Sequence, residues 1–122
     1  MASRHHAGQC AEGWALTHLE EHGLHLVARN WRCRYGEIDL IMNEGDILVF
    51  VEVRYRAYTQ WGGAESSIDT RKRQRLITAA QLFLQKNPLC AHQPCRFDCV
   101  AIQACTPRAA PQLNWIRNAF DS

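Results

Sequence analysis

Gly36-Glu37-Ile38-Asp39-Leu40-Ile41 and Val49-Phe50-Val51-Glu52-Val53-Arg54 decide the reading of this chain. Ile, Val, Leu and Phe dominate both stretches. Asn43-Glu44-Gly45-Asp46 between them supplies turn residues, so strands are expected at 36–43 and 47–56. Acidic residues nevertheless interrupt both strands. Side chains alternate faces with period two, so Glu37 and Asp39 share a face, as do Phe50, Glu52 and Arg54. With Glu44-Gly45 as a two-residue loop, Asn43 pairs with Asp46, Asp39 faces Phe50 and Glu37 faces Glu52. Asp39 is then one diagonal step from Glu52. Like charges directly opposite destabilise a strand pair. A bound divalent cation offsets that repulsion, and carboxylate oxygens suit Mg²⁺ or Mn²⁺.

Outward from the hairpin, Gly8 to His22 has helical patterning, with Ala11, Ala15 and Leu19 on one stripe and Gly23 as a stop. Residues 1–6 are expected to be a frayed tail. Leu24 to Trp31 reads as a first strand. After the hairpin, Ala57 to Ser67 is a long loop, of the kind that binds or gates a ligand. Asp69 or Thr70 can cap a second helix that runs to about Asn87, before Pro88. Its apolar face is Leu76, Ile77, Ala80, Phe83 and Leu84. Its basic first turn opposes the helix dipole, a conflict that a bound phosphate relieves unless the Arg side chains simply splay into water. Residues 88–94 form a loop, Arg96 to Gln103 a fourth strand, and Gln112 to Asn118 a short fifth. The expected class is α/β, one domain over 1–122, in the order α-β-β-β-α-β-β.

The composition, 47% hydrophobic and 21% charged, is that of an ordinary globular domain. No apolar run approaches the roughly 18 residues of a membrane helix, and the N-terminus has no apolar leader core, so a cytoplasmic location is expected. The net charge of +2 hides three basic clusters, at 29–35, 54–56 and 71–75, and every basic residue except Lys72 and Lys86 is Arg. Arg interleaved with Trp and Tyr suits phosphate contacts and base stacking. Six cysteines occur without a Cys-x-x-Cys pair. Cys90, His92, Cys95 and Cys99 are a loose zinc candidate, set against reduced thiols buried as small hydrophobes. No Ser-His-Asp or Cys-His arrangement and no Walker or Rossmann glycine loop can be read.

Asp39 and Glu52 are the leading site candidates, because each sits among apolar residues in a strand of central character. The competing account is a solvent-facing polar position on a half-exposed sheet. Glu37 lies nearer its strand's start and fits a site or a simple ion pair equally well. Arg54 can hold a phosphate; it stabilises charge and cannot act as a base, because it keeps its proton. It could instead pair with Glu37 or Asp39. Glu12 precedes Ala15, Leu16 and Leu19 at i+3, i+4 and i+7, which puts a carboxylate beside the buried stripe of the first helix. An acid in a helix's first turns is also favourable by itself. Asp98 shares a strand face with Arg96, and a local ion pair is its simplest account.

These segments, with the Lys72 region and Ala79-Ala80, Arg96-Phe97-Asp98 and Asn118-Ala119-Phe120, resemble the bacterial YraN-like family of uncharacterised small proteins. The resemblance runs from about Gly8 to Phe120. That family in turn resembles archaeal Holliday-junction resolvases of the PD-(D/E)XK nuclease superfamily. The resemblance implies a restriction-endonuclease-like core, a mixed β-sheet flanked by helices, and a metal-dependent endonuclease acting on DNA, including branched or repair intermediates. It places the superfamily's first acid on Asp39, its E-x-K element on Glu52-Val53-Arg54 and its helix-one Glu on Glu12. Asp39, Glu52 and Glu12 would then hold Mg²⁺ or Mn²⁺. The superfamily lysine is Arg54 here, which leaves room for Lys72 to take its role. Arg32, Arg34, Arg56 and Arg73 would track the DNA backbone, and Trp61 would stack on a base or wedge a junction. A homodimer follows by analogy. The alternatives are a non-catalytic nucleic-acid-binding protein that keeps the fold, and a protein-interaction module with a vestigial acidic site.

Overall fold

The architecture is built on a five-stranded mixed sheet in the order β1-β2-β3-β4-β5. The computed structural model describes residues 4–56, 69–103 and 111–121, with side chains from Cys10 onward. Element order is α1 (Arg4–Glu21), β1 (His25–Cys33), β2 (Gly36–Glu44), β3 (Ile47–Arg56), α2 (Thr70–Lys86), a 3₁₀ turn (Pro88–Cys90), β4 (Cys95–Gln103) and β5 (Gln112–Phe120). This is the expected α-β-β-β-α-β-β order of a restriction-endonuclease-like α/β core. The long loop expected after β3 lies outside the described residues. No helix among them is long and apolar enough to cross a membrane.

The first helix begins at Arg4, so it takes in Arg4, His5 and His6, which the sequence reading had placed in a frayed tail. Its buried stripe is Ala11, Ala15 and Leu19. It ends where Gly23 adopts φ +92°; the Gly23 N–H donates to the Glu20 carbonyl and the Leu24 N–H to the Leu19 carbonyl, both at 3.1 Å. That pair of bonds is a Schellman stop, and a residue with a Cβ would strain its left-handed position. At the second helix, the Asp69 carboxylate accepts the Lys72 N–H at 2.8 Å. The cap supplies the negative charge that the basic first turn lacks.

The two helices cover opposite faces of the sheet. Ala11, Ala15 and Leu19 of α1 pack on Leu40, Met42, Val49 and Val51. Leu76, Ala79, Ala80 and Phe83 of α2 pack on Ile38, Ile41, Leu48, Phe50 and Phe97. A strand buried on both sides is apolar at nearly every position, which explains Ile47-Leu48-Val49-Phe50-Val51. β1 is antiparallel to β2, β2 to β3 and β4 to β5, while β3 and β4 are parallel and joined through α2.

The hairpin register differs from the one read in sequence. Glu44 pairs with Ile47, Asn43 with Leu48 and Ile41 with Phe50, so the two-residue loop is Gly45-Asp46 and not Glu44-Gly45. Gly45 has φ +59° at the first central position and Asp46 has negative φ, which suits a turn of the II′ kind. Asp39 therefore does not face Phe50, nor Glu37 Glu52. Continued one step past Leu40↔Val51, the corrected register brings Asp39 level with Glu52, and both line one cleft.

β1 and β5 are also longer than read, each nine residues. β5 continues through Asn118, which takes φ +52°. A register shift between Phe97 and Cys99 frees the Asn118 N–H, and Asp98 accepts it at 2.9 Å.

Candidate functional site

The site lies where the sheet forks. The β2–β3 ladder ends at Leu40↔Val51. Beyond it β2 stays with β1 down to Gly36, and β3 stays with β4 up to Arg56. Asp39 is the first residue past the fork on β2. Its Oδ2 accepts the Val53 N–H at 2.8 Å, replacing a ladder bond that the fork removes. Such a bond satisfies a backbone donor and fixes the carboxylate's rotation.

Strict alternation also breaks here. Ile38 and Ile41 both enter the α2-side core, while Leu40 enters the α1-side core. Across on β1 stands Asn30 with φ +52°, between the pairs Arg29↔Leu40 and Trp31↔Ile38. Asn is among the few non-glycine residues that occupy this region readily. The Asn30 Nδ2 donates to both carboxylate oxygens of Glu12, at 3.1 and 2.8 Å, and to Glu37 Oε1 at 2.8 Å. Asn30 thus joins Glu12 of α1 to Glu37 of β2.

Glu12, Glu37 and Asp39 each offer one oxygen within 4.8 Å of the others. They are the one group of three or more such potential ligands among the described residues, so Cys90, His92, Cys95 and Cys99 do not converge on a zinc geometry there. Glu52 is 6% exposed and forms an ion pair with Lys72 Nζ at 2.5 Å. Glu37, Asp39, Glu52, Lys72 and Arg75 line one cleft of about 300 Å³, with Tyr35 at its rim. Burial first, then the charges of Glu52, Glu12 and Glu37, push the Asp39 carboxyl from 3.8 up to about 8, against the Val53 N–H that pulls it down. Cys99 pairs with Glu52 across the β3–β4 ladder, and its thiol is pushed up to about 11, chiefly by burial. A thiol held that high is no nucleophile at neutral pH.

The cations fall in different places. Arg54 lies two residues beyond Glu52 on β3, beside Ala101 of β4, and its charge acts on Cys99 together with that of Lys72. Arg32 is 73% exposed, with Nε 3.6 Å from Glu37 Oε2. Arg34 donates to its neighbour Tyr35. Arg56 is exposed and donates to the Tyr55 carbonyl at 3.3 Å. Arg73 sits 5.9 Å from the Phe120 ring centroid. Trp61 lies outside the described residues. Asp98 is fully buried and structural: Arg96 donates to both its oxygens at 2.8 and 2.9 Å, and Trp115 Nε1 donates to Oδ2 at 2.9 Å.

The sequence reading singled out neither Asn30 nor Tyr35 as a site residue. An Asn inside a strand is itself a weak signal, since strands are depleted in Asn.

Residues 11–102, which hold Glu12, Asn30, Glu37, Asp39, Glu52 and Lys72, match the uncharacterised protein family UPF0102. The chain is 60% identical over 122 residues to a UPF0102 protein of Pseudomonas fluorescens, covering all of this chain and 98% of that one. It is 58% identical to a UPF0102 protein of Stutzerimonas stutzeri over the whole of both chains. A third relative, from Ectopseudomonas mendocina, is 52% identical, again over both chains entire. With three quarters of its length matched and whole-length relatives at this identity, the chain belongs to the uncharacterised protein family UPF0102.

Proposed function

We propose that the protein is a divalent-metal-dependent phosphodiesterase that cleaves DNA. The observation that carries the reading is the convergence of Glu12, Glu37 and Asp39, the last two lining one cleft with the Glu52–Lys72 pair. The donor set is all carboxylate oxygen, which suits Mg²⁺ or Mn²⁺. The raised Asp39 carboxyl is compatible with the fit: burial raises it most, and a cation would relieve the further push from Glu52, Glu12 and Glu37. When bound, such an ion supplies polarisation of a phosphoryl oxygen and makes water more acidic.

The chain's own residues supply the rest. Glu12, Glu37 and Asp39 hold the ion, and the Asn30 amide keeps the first two aimed. The Val53 N–H holds Asp39 in place. Lys72 is half exposed beside Glu52, so it can donate to an incoming phosphate oxygen while neutralising that acid. Arg54 adds a fixed positive charge further along β3. Its guanidinium keeps its proton, so its role is charge stabilisation. A second reading, nucleic-acid binding without cleavage, draws on the same Glu52–Lys72 pair, since it occupies an acid expected to ligate the metal.

The test is a cleavage panel of single strands, duplexes, flaps and four-way junctions in Mg²⁺, Mn²⁺ or EDTA. Cleavage is expected with metal, with none in EDTA and at least a hundred-fold loss in Asp39→Asn. Calorimetry with Mn²⁺ should show one site that Asp39→Asn weakens. DNA binding with neither cleavage nor Mn²⁺ heat would establish the second reading.

A further inference from the structure

Tyr35 borders two cavities. One is the acidic cleft. The other, about 610 Å³, lies between the β1–β2 turn and α2 and is bordered by Arg34, Tyr35, Thr78, Gln81, Gln85 and Lys86. Thr78, Gln81 and Gln85 recur at i, i+3 and i+7, which is one helix face. Its chemistry differs from that of the cleft, where Glu37, Asp39 and Glu52 stand with Lys72 and Arg75. It offers two cations, two amides, a hydroxyl and a phenol, and no carboxylate borders it.

The turn is organised in advance. The Arg34 guanidinium carbon lies 4.9 Å from the Tyr35 ring centroid, and Arg34 donates to the Tyr35 hydroxyl at 2.7 Å. The two side chains brace each other, and both border the groove. Opposite them, the structure gives Gln81, Gln85 and Lys86 no side-chain partner among the described residues. Lys86 also sits in the last turn of α2, where its charge offsets the dipole end that would repel a phosphate.

We infer that this groove holds an unpaired nucleotide segment next to the scissile phosphate, so that the preferred substrate is DNA passing from duplex into single strand at the acidic cleft. The inference rests on the nuclease reading for what happens in the cleft, but the groove has its own basis. Its volume falls within the roughly 300–1,000 Å³ of small-ligand pockets, enough for a base with its sugar and phosphate. An aromatic platform with cations beside it is the recurring device for single strands, and it tolerates any base. Glutamine amides can meet base edges as donor or acceptor. Because the two cavities share Tyr35 as a wall, consecutive nucleotides can occupy one and then the other.

The experiment uses the full chain in EDTA, so that cleavage is silent. The anisotropy of a labelled blunt duplex is compared with that of the same duplex carrying a short single-stranded extension. The extension should tighten binding about ten-fold, the scale of one base–aromatic stack. Tyr35→Ala should abolish that gain and Tyr35→Phe keep it. An abasic site opening the extension should also abolish it with the wild-type protein, an arm that needs no variant to fold. Equal binding of blunt and extended duplexes, or a gain that survives Tyr35→Ala, overturns the groove. With Mn²⁺ added, a Tyr35-dependent preference without cleavage leaves the groove standing and sinks the nuclease reading. Cleavage with no such preference does the opposite.

Discussion

At Asp39 burial and charge pull against a backbone bond. The carboxylate satisfies the Val53 N–H, yet its surroundings hold its pKa up to about 8 from 3.8. Between those values the folded chain binds a proton that the unfolded chain has released, so unfolding releases it and stability falls as pH rises. This group's contribution is fully present below about pH 4 and is gone once pH passes about 8. Urea unfolding of the metal-free protein should therefore show stability declining over that window. Asp39→Asn, which keeps an oxygen for Val53, should flatten the decline and be at least as stable as wild type near pH 8. An unchanged slope in the variant would mean that the fold does not hold the Asp39 carboxyl above its ordinary range. Lys72 stood out only through the family resemblance, whereas Glu12, Asp39 and Glu52 were legible in the sequence because each is a carboxylate in or beside an apolar pattern. Asn30 was not, because its role comes from a left-handed backbone angle that its neutral amide does not announce.

At the scale of elements, the helix stops read well, whereas the start of α1 and the ladder breaks did not. Asp69, Gly23 and Pro88 act through the few residues beside them, so their effects are local. The hairpin turned on which two residues of Asn43-Glu44-Gly45-Asp46 form the loop. Gly45 suits the first or the second central position, so local chemistry left the register open, and in the fold the loop is Gly45-Asp46. The β4–β5 pair depends on a similar break, with Asp98 taking the Asn118 N–H and holding Arg96 and Trp115. Arg96 in turn reaches Glu44 at 2.9 Å, tying the end of β2 to β4. Asp98→Ala removes the anion from a buried network and should destabilise the fold by about 3–5 kcal/mol. Denaturant midpoints check this, and a change below about 1 kcal/mol would mean that the network contributes little.

For the whole molecule, the basic clusters set the expectation for DNA. Arg32, Arg34 and Arg56 carry exposed side chains around the cleft and strands, and α2 opens with Arg71, Lys72, Arg73 and Arg75. A few phosphate contacts should make log affinity fall against log salt with a slope of roughly 3 to 6. Titration of a labelled duplex and a labelled junction at several salt concentrations measures it, and a flat dependence would remove the electrostatic footprint. The sequence by itself determined the element order and both helix stops, and it marked Asp39 and Glu52 as carboxylates among apolar strand residues. All of these follow from periodicity and from residues within a turn of one another. Only the tertiary structure decided where β2 leaves β3, that Glu12 crosses from the opposite layer to meet Glu37 and Asp39, that Lys72 pairs with Glu52, and that Tyr35 stands between an acidic cleft and a basic groove. Those outcomes depend on Asn30, whose left-handed backbone and amide join α1 to β2, and on two helices packed on opposite faces of the sheet, and such long-range geometry is not written in the spacing of neighbouring residues.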